Sequence, residues 1–196
     1  MNYLAHAVLA KPNQYSLVGN LLGDFCKGVC VEALHPAIKA GLYNHRATDR
    51  FTDHHPLVKA AKAQFSPARR RFAAVALDVL FDHFLIRHWQ QFYPEPFGEY
   101  KARLYFKLSG AMPLMPVPMR ETMQRVCSND WFASYQQLPR LGQALDHIAS
   151  RIRFANNFGG IITEITPRYA ALEHDFLQFY PQLQHHIQQL AIEQHQ

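Results

Sequence analysis

The sequence predicts an all-α protein, a bundle of about eight helices, and three features point that way. Prolines stand at the edges of apolar runs, and within those runs the apolar residues recur at three- and four-residue intervals. Strand signals are weak: there is no Asn-Gly hairpin turn and no long alternating β-branched run. A length of 196 residues suits one domain, 1–196, around a single substantial core.

In chain order, "NYLAHAVLA" predicts a short first helix, and Ser16 opens a second over "SLVGNLLGDFCKGV". The run "HPAIKAGLYNHRATDRFTDHHP" is a helix between two stops, Pro36 and Pro56. In "SPARRR" Ser66 takes the N-cap position and Pro67 the first helical position. Phe72, Val75, Ala76, Val79, Leu80 and Phe84 then keep helical spacing until "YPEP" ends the run at Pro94 and Pro96. Residues 109–120, "SGAMPLMPVPMR", are expected to form a loop. Thr166 and Pro167 begin a last helix, with Pro181 as its stop.

Apolar residues make up 48% and aromatics 13%, so there is ample material to bury and no sign of disorder. Lys and Arg number 20 against 15 Asp and Glu, with a pI of about 9.2, which favours an anionic partner. The N-terminal stretch lacks a basic leader and its apolar run is broken by His6, so no signal peptide is expected. No apolar run reaches the length of a membrane span. Cys26, Cys30 and Cys127 lack metal-ribbon spacing and read as reduced core thiols of a cytoplasmic protein.

The chemistry concentrates in "NHRATDRFTDHHP", residues 44–56, with three His, two Asp and two Arg but no Lys or Glu. On a helix, His45 and Asp49 lie one turn apart, with Asp53 a further turn on and Arg46 and Arg50 on the adjacent stripe. Asp78 and Asp82 share one face of an otherwise apolar helix, where two unpaired carboxylates would repel and lose hydration. Asp24 follows Asn20 by one turn, with Gly19 and Gly23 leaving room for close helix approach, and His6 interrupts the first helix. Taken singly, each has a plainer explanation: a hydrogen-bonded core histidine, a buried acid paired with Arg, a surface i,i+4 pair. Together, His6, Asp24, His45, Asp49, Asp78 and Asp82 predict one divalent-metal site, with Asp24, His45 and Asp82 converging on the ion. Carboxylate and imidazole without thiolate suit Mn²⁺, Mg²⁺, Fe or Zn²⁺. Arg46 beside such a site suits a phosphate clamp, and Asp24, Arg46 and His83 are the expected catalytic groups of a phosphoester hydrolysis.

The segments "NYLAH", "GNLLGDF", "HRATDRFTD", "LDVLFDHFLIRHW" and "FLQFYP", in order from residue 2 to about 181, resemble the acyl carrier protein phosphodiesterases. Residues 95–140 contribute least to that likeness. The resemblance implies a divergent HD-type, all-helical, Mn²⁺-requiring phosphohydrolase. Its reaction would remove 4′-phosphopantetheine from the serine of holo-acyl carrier protein. The adjacent His-Asp doublet of HD-type enzymes is absent, because Arg46 follows His45. Asp24 and Asp82, with Asp78 close behind, are the expected replacements for its carboxylate. An acidic carrier protein would suit the basic balance of the chain, and Arg69, Arg70 and Arg71 are the expected docking residues because they crowd charge where a helix dipole disfavours it. No nucleic-acid or membrane partner is expected. Two other functions fit the same residues. One is an HD-like hydrolase of a nucleotide or small phosphodiester. The other is a non-enzymatic basic helical module that binds RNA, although no RNA-binding signature is present.

Overall fold

Tyr3–Leu9 (α1) and Gln14–Leu22 (α2) open the computed structural model, which describes residues 1–194. There follow Pro36–His54 (α3), Pro56–Ala63 (α4), Ala73–Arg87 (α5), Trp89–Phe92 (α6), Phe97–Ala111 (α7) and Val117–Ser128 (α8). Trp131–Ser134 (α9), Leu138–Ser150 (α10), Ile162–Ile165 (α11) and Tyr169–Leu190 (α12) complete the chain. The fold is all-α, as the sequence predicts, with no strand among the described residues. No helix among them is long and apolar enough to cross a membrane.

Helix α3 starts and stops where its prolines dictate. Pro36 occupies the first turn, where its missing N–H is no loss, and His35 Nδ1 accepts from the Ala37 amide at 3.2 Å. At the far end His55 closes α3 and caps α4, its Nδ1 accepting from the Leu57 amide at 3.3 Å. Helices α2 and α3 pack backbone to backbone. A Cβ on Gly19 would stand 2.2 Å from the Ile38 carbonyl oxygen, and one on Gly41 would stand 2.7 Å from that of Ser16. Gly19→Ala should therefore destabilise the chain by about 1–3 kcal/mol despite alanine's better helix propensity, because no rotamer relieves a backbone clash. An unchanged urea midpoint would refute this close approach.

Helix α1 rests on α2 and α5, while α12 lies across α3, α4 and α5 and closes the core over them. Phe81 and Phe84 of α5 meet Phe176 and Phe179 of α12 in that core. The apolar face of α12 (Leu172, Phe176, Phe179, Tyr180, Leu183 and Ile187) continues past Pro181, so the helix runs through that proline instead of ending there.

Four other local expectations are corrected. Helix α5 begins at Ala73, after a 3₁₀ turn at Arg70–Phe72. Ser66 is not its cap: its amide and hydroxyl both donate to Glu164, at 2.8 and 2.7 Å. In α2 the cap is Asn13, whose Oδ1 accepts from the Ser16 amide at 2.9 Å. Residues 109–120 are mostly helical, since Pro113 and Pro118 sit in first turns of a 3₁₀ segment and of α8, and Met115, Met119 and Met123 are buried at helical spacing. The cysteines are free, and Cys26 and Cys127 pack half-buried against the core, but Cys30 is exposed and is not a core thiol.

Candidate metal centre

Helix α3 carries His45 and Asp49 one turn apart, and α1 brings His6 against them from across the chain. His45 Nε2 lies 3.0 Å from Asp49 Oδ2, and His6 Nε2 lies 3.2 Å from Asp49 Oδ1. The two imidazoles stack with ring centroids 3.9 Å apart and planes 18° from parallel. One ligand atom from each of the three residues falls within a sphere of mutual separations no greater than 4.8 Å. Glycine makes this possible, because a Cβ on Gly23 would stand 2.0 Å from His45 Nε2.

The tautomer of His45 follows from its other nitrogen. Nδ1 lies 2.7 Å from the Asn20 carbonyl oxygen, which can only accept, so Nδ1 carries a proton and Nε2 is the nitrogen turned toward Asp49, where a metal ion would take the place of a second proton. Asn20 is itself fixed: its side chain donates to the Ser16 carbonyl at 3.0 Å and accepts from Asn44 at 2.9 Å. His6 is fully buried and, among the described residues, neither of its ring nitrogens has a hydrogen-bond partner, although Nε2 lies 3.2 Å from Asp49 Oδ1. Burial lowers the His6 pKa to about 4 despite the pull of Asp49, so this ring is neutral at pH 7. Two imidazole nitrogens and a carboxylate aimed at one point fit a divalent cation, and an orphaned buried His6 is otherwise costly.

Burial pushes the Asp49 carboxyl up, but His45, His6 and the Met1 amine outweigh it and hold it well below the usual carboxylate range. The same proximity raises the His45 pKa against the effect of burial. The Met1 amine nitrogen lies 3.2 Å from Asp49 Oδ1 and 3.0 Å from Asp78 Oδ1, joining Asp78 to the cluster through a shared cation.

The remaining site residues fall around this centre in distinct ways. Asp24, on the 3₁₀ turn Gly23–Phe25, has an exposed side chain yet stands among protein groups that desolvate it. That raises its pKa, with Asp49 and Asp78 adding to the rise and His45 opposing it. Asp82 is fully buried and both its oxygens are taken: Oδ2 accepts from the Leu4 amide at 3.0 Å and Oδ1 from the Ala5 amide at 3.1 Å. It caps α1, and so holds His6 in place from behind. His83 Nδ1 lies 2.6 Å from the Tyr135 carbonyl and its Nε2 2.6 Å from the Tyr169 hydroxyl, so both ring nitrogens are engaged in tying α5 to its neighbours. Arg46 is exposed, lies over the Tyr43 ring at 5.8 Å and makes no ion pair among the described residues.

The three arginines differ from one another. Arg69 donates to the carbonyls of Asn157 and Gly159, both at 2.8 Å, and Arg70 donates to that of Phe65 at 3.3 Å. They hold backbone. The dipole rationale for them lapses because α5 starts at Ala73, beyond all three. Arg71 is exposed and lies over the rings of Phe72 and Phe154. The sequence shows Asn20 only as a neighbour of Asp24 and gives no sign that its carbonyl orients His45, because a backbone atom leaves no signal in composition or spacing.

A family model described as acyl carrier protein phosphodiesterase matches residues 1–183. An acyl carrier protein phosphodiesterase of Serratia proteamaculans (strain 568) is 38% identical over 184 residues, covering 93% of this chain and 95% of the relative. One from Yersinia pestis is 36% identical over 193 residues, or 98% of this chain and all of the relative. No solved structure matches the chain. With the likeness running through every element that builds the His6–His45–Asp49 cluster, this chain belongs to the acyl carrier protein phosphodiesterase family.

Proposed function

We propose that this chain is a metal-dependent phosphodiesterase that hydrolyses the phosphopantetheine–serine linkage of holo-acyl carrier protein, releasing 4′-phosphopantetheine and the apo carrier. The observation that carries the reading is the convergence of His6, His45 and Asp49 in a chain of this family. Those three residues would hold a divalent ion; the donor set admits Mn²⁺, Mg²⁺, Fe or Zn²⁺, the family resemblance favours Mn²⁺, and the ion would supply Lewis acidity toward a phosphoryl group. In HD-type terms, His45 and Asp49 one turn apart replace the adjacent doublet. In this reading Asp24, exposed on the turn after α2 and with its carboxyl pushed up by desolvation, would give the departing serine oxygen its proton. The test is direct: holo-acyl carrier protein incubated with the chain and Mn²⁺, then weighed by mass spectrometry, should lose the mass of its prosthetic group. An unchanged carrier mass would overturn the reading.

Arg46 supplies the phosphate contact in this reading. Its guanidinium is uncommitted to the fold and offers planar, paired donors. Arg46→Ala should leave the melting temperature nearly unchanged and lower kcat by about 10²-fold or more, the scale seen when one preorganised charge stabiliser is lost. Equal kcat in mutant and parent would remove Arg46 from the site.

Carrier docking falls to Arg71, because Arg69 and Arg70 are occupied with backbone carbonyls. Exposed charge of this kind acts on encounter rate and is screened over roughly 8–10 Å at physiological salt. The kcat/KM for holo-carrier should fall with added salt, and Arg71→Gln should lessen that slope with kcat intact. A slope identical to the parent's would move docking elsewhere.

A further inference from the structure

Between α8, α9 and α10 runs a groove of about 480 Å³, within the range of small-molecule sites, and it takes no part in the metal centre described above. Trp131, Ala144 and Ile148 give it an apolar lining, Asn129 and Gln143 set amides along it, and Arg125 and Arg151 add positive charge. Such a lining suits an extended anionic chain in which amides alternate with methylene segments. The groove also adjoins the centre. The carbonyl of its wall residue Tyr135 accepts from His83, the neighbour of the Asp82 that holds α1. Tyr3 links the two regions electrostatically: burial raises its phenol pKa, Asp24 raises it further and Arg151 lowers it, so both charges act on one hydroxyl.

We propose that this groove seats the 4′-phosphopantetheine arm of the substrate, with the amides of the arm against Asn129 and Gln143, and with its phosphate, the arm's one charged group, leaving the groove past Arg151 toward the metal centre. The proposal rests on the phosphodiesterase reading above and adds the site that selects the arm. A phosphodiester cleaved at the metal centre leaves a long prosthetic group to be accommodated, and this groove offers the apolar lining, the amide partners and the positive charge for it. Ala144 is part of that lining, and a larger side chain there fills the space without touching the metal cluster.

The experiment has a binding arm and a kinetic arm. Titrating the full chain with 4′-phosphopantetheine should give a saturable change in the emission of Trp131, since the chain's other tryptophan, Trp89, is buried. Ala144→Phe and, as a surface change that spares packing, Gln143→Ala should each weaken that binding by about tenfold, the loss of one good contact. Both variants should raise KM for holo-carrier while leaving the rate on bis(4-nitrophenyl) phosphate, which has no arm, as in the parent. No saturable change in the parent, or variants that slow both substrates alike, would overturn the proposal. Binding of decanoate but not of 4′-phosphopantetheine would overturn it too, giving the groove to an acyl chain. Should the parent fail to release phosphopantetheine from the carrier, the functional reading falls, and the Trp131 titration still decides the groove.

Discussion

Asp49→Ala should leave a folded chain that no longer retains metal and is nearly inactive on holo-acyl carrier protein. Asp49 is the carboxylate on which both imidazoles converge, at 3.0 and 3.2 Å. Groups that merely orient ligands typically contribute about 10–100-fold in affinity or activity, so loss of the carboxylate itself should exceed that range. Without it His6 and His45 would face each other, stacked at 3.9 Å, with no negative charge between them and a cation. Asp49→Asn keeps the shape but not the charge and should fail almost as badly. The checks are the metal-to-protein ratio after dialysis and kcat on holo-carrier. One equivalent of metal retained by the Ala variant would remove Asp49 from the centre.

Asp82→Ala should have the largest effect on stability, about 2–4 kcal/mol in urea. Hydrogen bonds to a charged acceptor contribute about 1.5–3 kcal/mol each, and Asp82 accepts two buried amides; relief of carboxylate burial offsets part of the loss. Burial raises the Asp82 pKa to about 7 against the downward pull of those amides. The folded chain therefore keeps this proton to higher pH than the unfolded chain, whose carboxyl titrates near 3.8. Stability from this group is greatest below the lower value, falls as pH rises between the two, and is level above about 7. His6 acts in the opposite sense over much of that window, because its folded pKa is depressed to about 4. The difference between parent and Asp82→Asn, measured metal-free from pH 4 to 7, isolates the Asp82 contribution. A difference that does not change with pH would refute the shift.

The helical class and the bounds of α3 were legible because proline acts locally: a missing N–H is harmless in a first turn and harmful later. Pro181 was misread by the same rule, since buried Phe176, Phe179, Tyr180 and Leu183 on one side of α12 outweigh one lost hydrogen bond. The member residues of the polar cluster were visible in the sequence, but their ranking was not. Asp24 and Asp82 looked the stronger ligands because apolar neighbours surround them. Yet an apolar setting predicts burial, and burial alone does not say whether a carboxylate faces a cation or a pair of amides. For Asp82 the amides of Leu4 and Ala5 are the answer. Asp49, with apolar residues on neither side of it in sequence, is the one aimed at both histidines. The arginine triplet was read from an assumed helix start, and its assignment moved when the helix began at Ala73.

The capping of α1 by Asp82 also sets an order of events during folding. Helix α1 has seven residues, too few to persist alone in water, where isolated helices shorter than about 12–15 residues are marginal. Its first amides wait for an acceptor 77 and 78 positions away, so the helix forms only once α5 has arrived. His6 rides on that helix, whereas His45 and Asp49 share a 19-residue helix that can form early. Two of the three residues of the His6–His45–Asp49 cluster are thus present in a young chain and the third is delivered last. In stopped-flow refolding, metal uptake should trail the rise in helical signal, and Asp82→Asn should lengthen that delay more than it slows the helical signal itself.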